Sequence, residues 1–381
     1  MNFSAVYGHS QIKKDLISSV SNGRMAHAQL FIAKKGVGAL NLALAYATYL
    51  LCENPGEENA CGHCSSCRKN DKLVHPDLHF SYPTTGKSVS TDHIKEWRAI
   101  ILEKGYFGLD DWLNSIGDDN KLGNLSKDEC KSIISRLSLR ATQGGAKVMI
   151  IWLPEFLGKE GNRLLKTIEE PRGNTYFLFV TEAPDKIIQT ILSRCQLINL
   201  APLDDDSMYR YAEANMDIGA DSLRSAIFMA EGSITTLHDV AQESNKWMAS
   251  IFIDWLRVCF RGKPKEMVEW VESINTGRSK RASYYFKMGR KDLKVFLQYS
   301  LFFFNELIYL LMDQNDRSRL QGEVLETAQK MGSVFSIEDI VQIAPFIEKM
   351  IYHVERNGHP KILFLNASIR MHRLMRYGDS L

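Results

Sequence analysis

Residues Leu30–Leu51, LFIAKKGVGALNLALAYATYLL, decide how the rest of the chain is read. An apolar run at Leu30–Ala33, a glycine-bearing turn and a helix at Asn41–Leu51 follow one another in the layout of a phosphate-binding loop. In such loops backbone N–H groups at a helix N-terminus cradle an anion. The pattern G-x-x-x-x-G-K-[ST] is incomplete here. Gly38 stands in place and Gly36 eases the turn, but Ala39 and Leu40 follow. No ammonium group is placed to reach β- and γ-phosphates, and no hydroxyl stands where Mg²⁺ needs one. The stretch by itself suits two readings equally: a tight strand-to-helix turn that never held a nucleotide, or a phosphate loop that has lost its ligand.

Outward from this turn the chain has 381 residues, enough for two or three domains. Its net charge of +2 gives no case for nucleic-acid binding driven by bulk charge. The opening residues, MNFSAVYGHSQIKKD, lack the apolar centre of a signal peptide, so a cytoplasmic location is expected. The apolar run Val295–Met312 is interrupted by Gln298, Asn305 and Glu306, which suits a buried helix better than a membrane span.

Periodicity predicts a helix over Gly8–Met25, the strand Leu30–Ala33, the helix Asn41–Leu51 and a short strand within His75–Phe80. Helices are expected at Asp92–Glu103 and around Leu109–Ile116. They fall inside a long, locally acidic insertion, Thr84–Lys127, expected to be solvated on the sheet rim. A helix at Lys127–Leu139 precedes the run Ala146–Trp152, whose continuous apolar character suits a strand buried on both faces of a parallel sheet. A helix Lys159–Glu170 stopped by Pro171, the strand Thr175–Thr181, a helix Asp185–Leu192 and the strand Gln196–Leu200 complete an alternating α/β pattern. After Pro202 strand signals fade. Short helices are predicted to about residue 242, and a helical region with aromatic faces (Trp247, Phe252, Trp255, Phe296) from 243 to 381.

Four cysteines stand as Cys52-x8-Cys61-x2-Cys64-x2-Cys67, with Gly62 allowing the turn between them. Four thiolates at this spacing read as a closed structural zinc site, a loop staple rather than a catalytic centre. His63 and His75 lie nearby, but four cysteines already complete a tetrahedral shell. The strand ending at Trp152 exits through Leu153 and Pro154, where a nucleotide hydrolase would place carboxylates for Mg²⁺ and water. Glu155 lies beyond a proline and reads as a surface carboxylate. Arg194, after the helix Asp185–Leu192, is by itself a dipole partner or surface ion pair.

Taken together, HAQLF (His27–Phe31), GVG (Gly36–Gly38), the four-cysteine module, LLKTIEEP (Leu164–Pro171) and TILSRCQ (Thr190–Gln196) resemble, in order and spacing, the bacterial clamp-loader AAA+ proteins of the DNA polymerase III holoenzyme, their stator subunit most of all. The resemblance covers roughly residues 1–240. It implies a RecA-like α/β domain with a parallel sheet (1–202, with the zinc module at 52–67 and the insertion at 84–127), a helical lid (203–242) and an all-α collar (243–381). It also implies a pentameric ring with gamma/tau-like motor subunits and a delta-like subunit, acting on a sliding clamp and primed DNA only indirectly, with no membrane involved. Motors of the family carry a lid arginine shortly after a Gly-Ser. Here Gly232-Ser233 is followed by Ile234-Thr235-Thr236. With Ala39, Trp152 and Thr235 at three nucleotide-handling positions, no ATP is expected to bind and no hydrolysis to occur. Glu182 at the sensor position would repel phosphate. By the same resemblance Arg194 of Ser193-Arg194-Cys195 is an arginine finger offered in trans to a neighbouring motor's ATP. Two other functions fit parts of the sequence: an active motor using Lys34 or Lys35, both on the wrong side of Gly36, and an autonomous zinc module that binds nucleic acid.

Overall fold

A computed structural model describes residues 2–118, 122–143, 145–241, 248–277, 287–314, 318, 320 and 322–378. Asp119, Gly144, Trp247 and the boundary expected near 243 lie outside them. Five strands form one parallel sheet: β1 (Ala28–Ile32), β2 (Leu78–Ser81), β3 (Lys147–Trp152), β4 (Thr175–Thr181) and β5 (Gln196–Asn199), in the order β2-β3-β4-β1-β5. Register pairs Ile32 with Thr181 and Asn199, and Trp152 with Val180, so these strands end together.

Alternate residues of each central strand face opposite layers. Phe31, Val148, Ile150, Leu178 and Val180 join one core with the helix Ala39–Leu51 and with Trp97 and Ile100 of the helix Ile94–Lys104. Leu30, Met149, Ile151, Phe177 and Phe179 join a second core with Cys130, Ile133 and Leu137 of the helix Lys127–Ser138 and with Leu157, Leu164 and Ile168. Ser126 starts the helix Lys127–Ser138 by accepting a hydrogen bond from the Glu129 N–H at 3.2 Å.

The connection leaving β1 runs across the sheet to β2, whereas the one leaving β4 runs the other way to β5. Adjacent strands β1 and β4 are therefore a topological switch point, and the crevice at their C-terminal ends is where ligands bind in open α/β sheets.

Two expected helices are broken. Lys159–Glu170 is 3₁₀ helix as far as Leu164, the end of a 3₁₀ stretch Pro154–Leu164 kinked at Gly158 (φ +47°), and α-helical only over Leu165–Glu169. Asp185–Leu192 divides into a 3₁₀ turn at Pro184–Lys186 and a short α-helix at Gln189–Leu192, with Ile187 extended between them.

The chain divides into two compact units, one of residues 1–216 with 230–236 and one of residues 217–229 with 237–381. Within the second unit the helices Met248–Arg261, Pro264–Thr276, Arg290–Leu311, Gly322–Met331, Ile337–Glu355 and Pro360–Tyr377 pack around an aromatic core. Phe252 lies 4.8 Å from Phe303, and Phe296 lies 5.7 Å from both Trp255 and Phe364. Among the described residues no helix is long and apolar enough to cross a membrane.

Candidate functional site

The turn after β1 is glycine-dependent. Gly36 (φ +79°) and Gly38 (φ +99°) are both in the left-handed region, and Gly38 caps the helix Ala39–Leu51 without a side-chain partner. Both glycines are also crowded. A Cβ on Gly36 would lie 2.3 Å from the hydroxyls of Ser233 and Thr235, and one on Gly38 would lie 3.2 Å from the Tyr106 ring. Ser233 Oγ donates to the Lys35 carbonyl at 2.9 Å, and the Ile234 N–H donates to the Gly36 carbonyl at 2.9 Å. The turn is thus clasped from one side by residues 233–235 and from another by the insertion.

Ala39 and Trp152 both line the cavity beside this turn, and Thr235 faces Gly36 directly. Two of the three departures read from the sequence therefore share one crevice, and the third, Thr235, packs against Gly36 in its wall. The cavity left there holds about 30 Å³, room for a couple of waters. Trp152 is buried, 5.2 Å from the Trp97 ring and 5.4 Å from the Phe107 ring, so its place in the crevice wall is apolar. Lys34 lines the cavity from the β1 side, and Lys35 runs along Gly108 of the insertion.

The insertion is not the solvated rim expected from its composition. Its Trp97 and Trp112 are fully buried, and Trp97 stacks on Tyr82 at 4.0 Å. Its charged residues cover an aromatic core that the insertion itself supplies with Trp97, Phe107 and Trp112, packed on Tyr82 and Trp152. Glu155 also departs from expectation. Rather than a surface carboxylate, it is partly buried and accepts a hydrogen bond from Thr181 Oγ1 at 2.8 Å, tying β3's exit to the end of β4. Burial raises its pKa. Glu182, at the cavity edge, is pushed up to about 7 by desolvation and by the neighbouring Glu155 charge.

The four-cysteine loop follows the same helix. Cys52 ends the helix Ala39–Leu51, and Cys64 caps the helix Ser65–Asp71, whose first turn carries Cys67. All four sulfurs lie within 4.8 Å of one another, a set that could hold a metal ion. The Cys61 and Cys67 sulfurs are 3.9 Å apart, close to the roughly 3.8 Å that tetrahedral Zn–S bonds of about 2.3 Å impose. Backbone N–H groups of Cys61, Cys64 and Cys67 donate to the sulfurs of Cys52, Cys61 and Cys64 at 3.3, 3.4 and 3.4 Å, the arrangement that stabilises thiolates. Neither histidine joins the sulfurs. His63 is exposed, whereas His75 is buried, 3.1 Å from Ser66 Oγ, and accepts from the Asp77 N–H.

Arg194 sits beyond the helix Gln189–Leu192 on the other side of the switch point. Its Nε donates to Glu169 Oε1 at 2.5 Å, and its Nη1 donates to the Thr190 carbonyl at 2.8 Å. Cys195 packs partly buried against the second core. Sequence reasoning missed Glu169, Tyr106 and the clasping role of Ser233. Glu169 was within view inside LLKTIEEP, but its partner lies 25 residues away.

The parallel α/β domain places a glycine-dependent turn at its switch point and four clustered thiols in its first crossover, the two features that carried most of the resemblance to clamp-loader proteins. The family model described as "DNA polymerase III, delta subunit" matches residues 8–204, more than half of the chain, and the chain belongs to that family. It is 28% identical over 221 residues to the DNA polymerase III subunit delta' of Escherichia coli, covering 57% of this chain and 55% of that protein. Yersinia pestis subunit delta' is 32% identical over 185 residues, covering 48% and 44%. E. coli subunit tau is 25% identical over 251 residues, covering 65% of this chain and 33% of that protein. The chain spans about half the length of the delta' relatives it matches.

Proposed function

We propose that this chain is the non-hydrolysing stator of a sliding-clamp loader, the delta-prime position of the DNA polymerase III assembly. The observation that carries this is that Ala39 and Trp152 line one crevice at the turn, with Thr235 packed behind Gly36. A hydrolysing site needs a lysine, a metal-holding hydroxyl and acidic groups aimed at the phosphates. The groups at these positions are a methyl, an indole buried against aromatic rings, and a Thr235 hydroxyl engaged with Ser233, which itself bonds the Lys35 carbonyl.

In this assignment residues 1–202 form the AAA+ domain, 203–242 the lid and 243–381 the collar that joins gamma/tau-like motor and delta-like subunits in a pentameric ring. The sliding clamp and primed DNA are reached through those partners. Cys52, Cys61, Cys64 and Cys67 would hold one structural zinc ion, whose chemistry is to cross-link the loop, with no open position for a substrate. Arg194, half-exposed at the end of its helix, would stabilise charge on a phosphoryl group at the neighbouring motor's site.

The test is reconstitution of the ring with motor and delta-like partners. The isolated chain should neither bind nor hydrolyse MgATP, while its addition should raise the motors' ATPase. Turnover by the purified chain alone would sink the assignment.

A further inference from the structure

We propose that the insertion segment Gly105–Gly108 is a built-in occupant of the disused phosphate-loop crevice, holding the turn in a fixed shape without a nucleotide. Because the turn is read as a phosphate loop that no longer takes ATP, this inference rests on the stator assignment and says what fills the site instead.

The geometry is specific. Tyr106 lays its ring against Gly38 at the N-terminus of the helix Ala39–Leu51, the place where a phosphate would meet the free N–H groups. Asn41, one turn into that helix, donates its side-chain amide to the Gly105 carbonyl at 3.3 Å. Lys35 runs so close to Gly108 that a Cβ there would lie 2.1 Å from Lys35 Cε. Phe107 packs on Trp152, so the side chain replacing a metal-binding carboxylate is also the seat of the insertion. Within the turn, Gly36 meets Ser233 and Thr235, Gly38 meets Tyr106 and Lys35 meets Gly108, while the Val37 carbonyl lies 3.0 Å from His9 Nε2.

The segment is itself held. Lys104 forms an ion pair with Asp111 at 2.9 Å, and Asp111 accepts from the Gly108 N–H at 3.0 Å. Tyr106 meets Tyr211 edge-on at 5.5 Å, and Tyr211 in turn meets Tyr7 edge-on at 5.1 Å. A nucleotide would have to lift the Tyr106 ring and break the Asn41 bond before reaching the turn. A loop merely covering a rim would show neither the close approach at Gly38 nor the seat on Trp152.

The experiment is amide hydrogen exchange on the zinc-loaded full chain, comparing wild type, Tyr106→Ala and Tyr106→Phe with and without MgADP. Val37 and Leu42, whose N–H groups bond the Lys34 and Gly38 carbonyls, should be protected in the wild type without nucleotide and unchanged by MgADP. Tyr106→Ala should speed their exchange by about tenfold or more, leaving residues 248–277 unaffected. Tyr106→Phe, which keeps the ring, should behave as wild type. Unchanged exchange in Tyr106→Ala, or slowed exchange in wild type on adding MgADP, would overturn the proposal; the second result would make the segment a displaceable lid. If Tyr106→Ala proves unfolded by circular dichroism, Asn41→Ala is measured in its place. Faster exchange confined to Val37 and Leu42 supports the proposal, and no change overturns it. The stator assignment fails separately, on ATP turnover by the isolated chain.

Discussion

Arg194 and Glu169 form an ion pair that joins TILSRCQ to LLKTIEEP across 25 residues of chain. The carboxylate holds the guanidinium beyond the end of its short helix, with the Thr190 carbonyl as second anchor. A fork held at two points loses less side-chain freedom when it engages an anion than one waving in solvent.

Replacing Arg194 with alanine should therefore change function far more than stability. Both partners are half-exposed, and such pairs contribute less than about 1 kcal/mol to folding. In the reconstituted ring, hydrolysis at the motor site facing this subunit should fall by about 10³-fold or more. Glu169→Gln should give an intermediate rate with an unchanged melting temperature. Steady-state ATPase and thermal melts check both; an unaltered rate for Arg194→Ala would remove its finger role.

The cysteine cluster should yield one zinc per chain by elemental analysis. Cys64→Ser should lose the metal and lower the melting temperature, and strong chelators should reproduce that loss in the wild type. Protein purified without chelator and free of metal would refute the site.

Gly36→Ala should destabilise the domain by about 1–3 kcal/mol, combining left-handed strain with overlap against Ser233 and Thr235. Gly62→Ala, also left-handed (φ +77°) but facing open space, should carry only the conformational part. Denaturant melts of the two variants separate the contributions.

Glu182 gives a pH signature. Glu182 is exposed by surface area, so solvent screening damps the effect, but desolvation on its crevice side and the Glu155 charge raise its folded pKa to about 7 from an ordinary 4.5. Between those values the folded state binds the extra proton, so this group's contribution is full below about 4.5 and is lost as pH rises through 7. Glu182→Gln should flatten that slope and stabilise the protein above pH 7, measured by melts across the range.

The central strands were legible because VMII and YFLFV are buried on both faces, leaving no polar alternation to misread. The cysteine module was legible because metal-ligand spacing survives as a local pattern. The helix expected at Lys159–Glu170 is α-helical only from Leu165, because the segment before it continues the 3₁₀ winding begun at Pro154 and kinked at Gly158, which the apolar spacing of Leu164, Leu165 and Ile168 does not reveal. The insertion's burial was illegible for a different reason. Trp97 and Trp112 are hidden by Tyr82 and Trp152, partners up to 55 residues distant along the chain, and no window of sequence around them contains that information. Glu155 was misplaced because its Thr181 partner belongs to the next strand.

The helix Ala39–Leu51 begins at the clasped turn and ends on Cys52, a rod of 13 residues and about 20 Å fastened at both tips. Damage at one tip should register at the other. Unmaking the sulfur cluster would slacken the far anchor, so a change in the cysteine loop would reach the crevice through the helix itself rather than through any shared ligand.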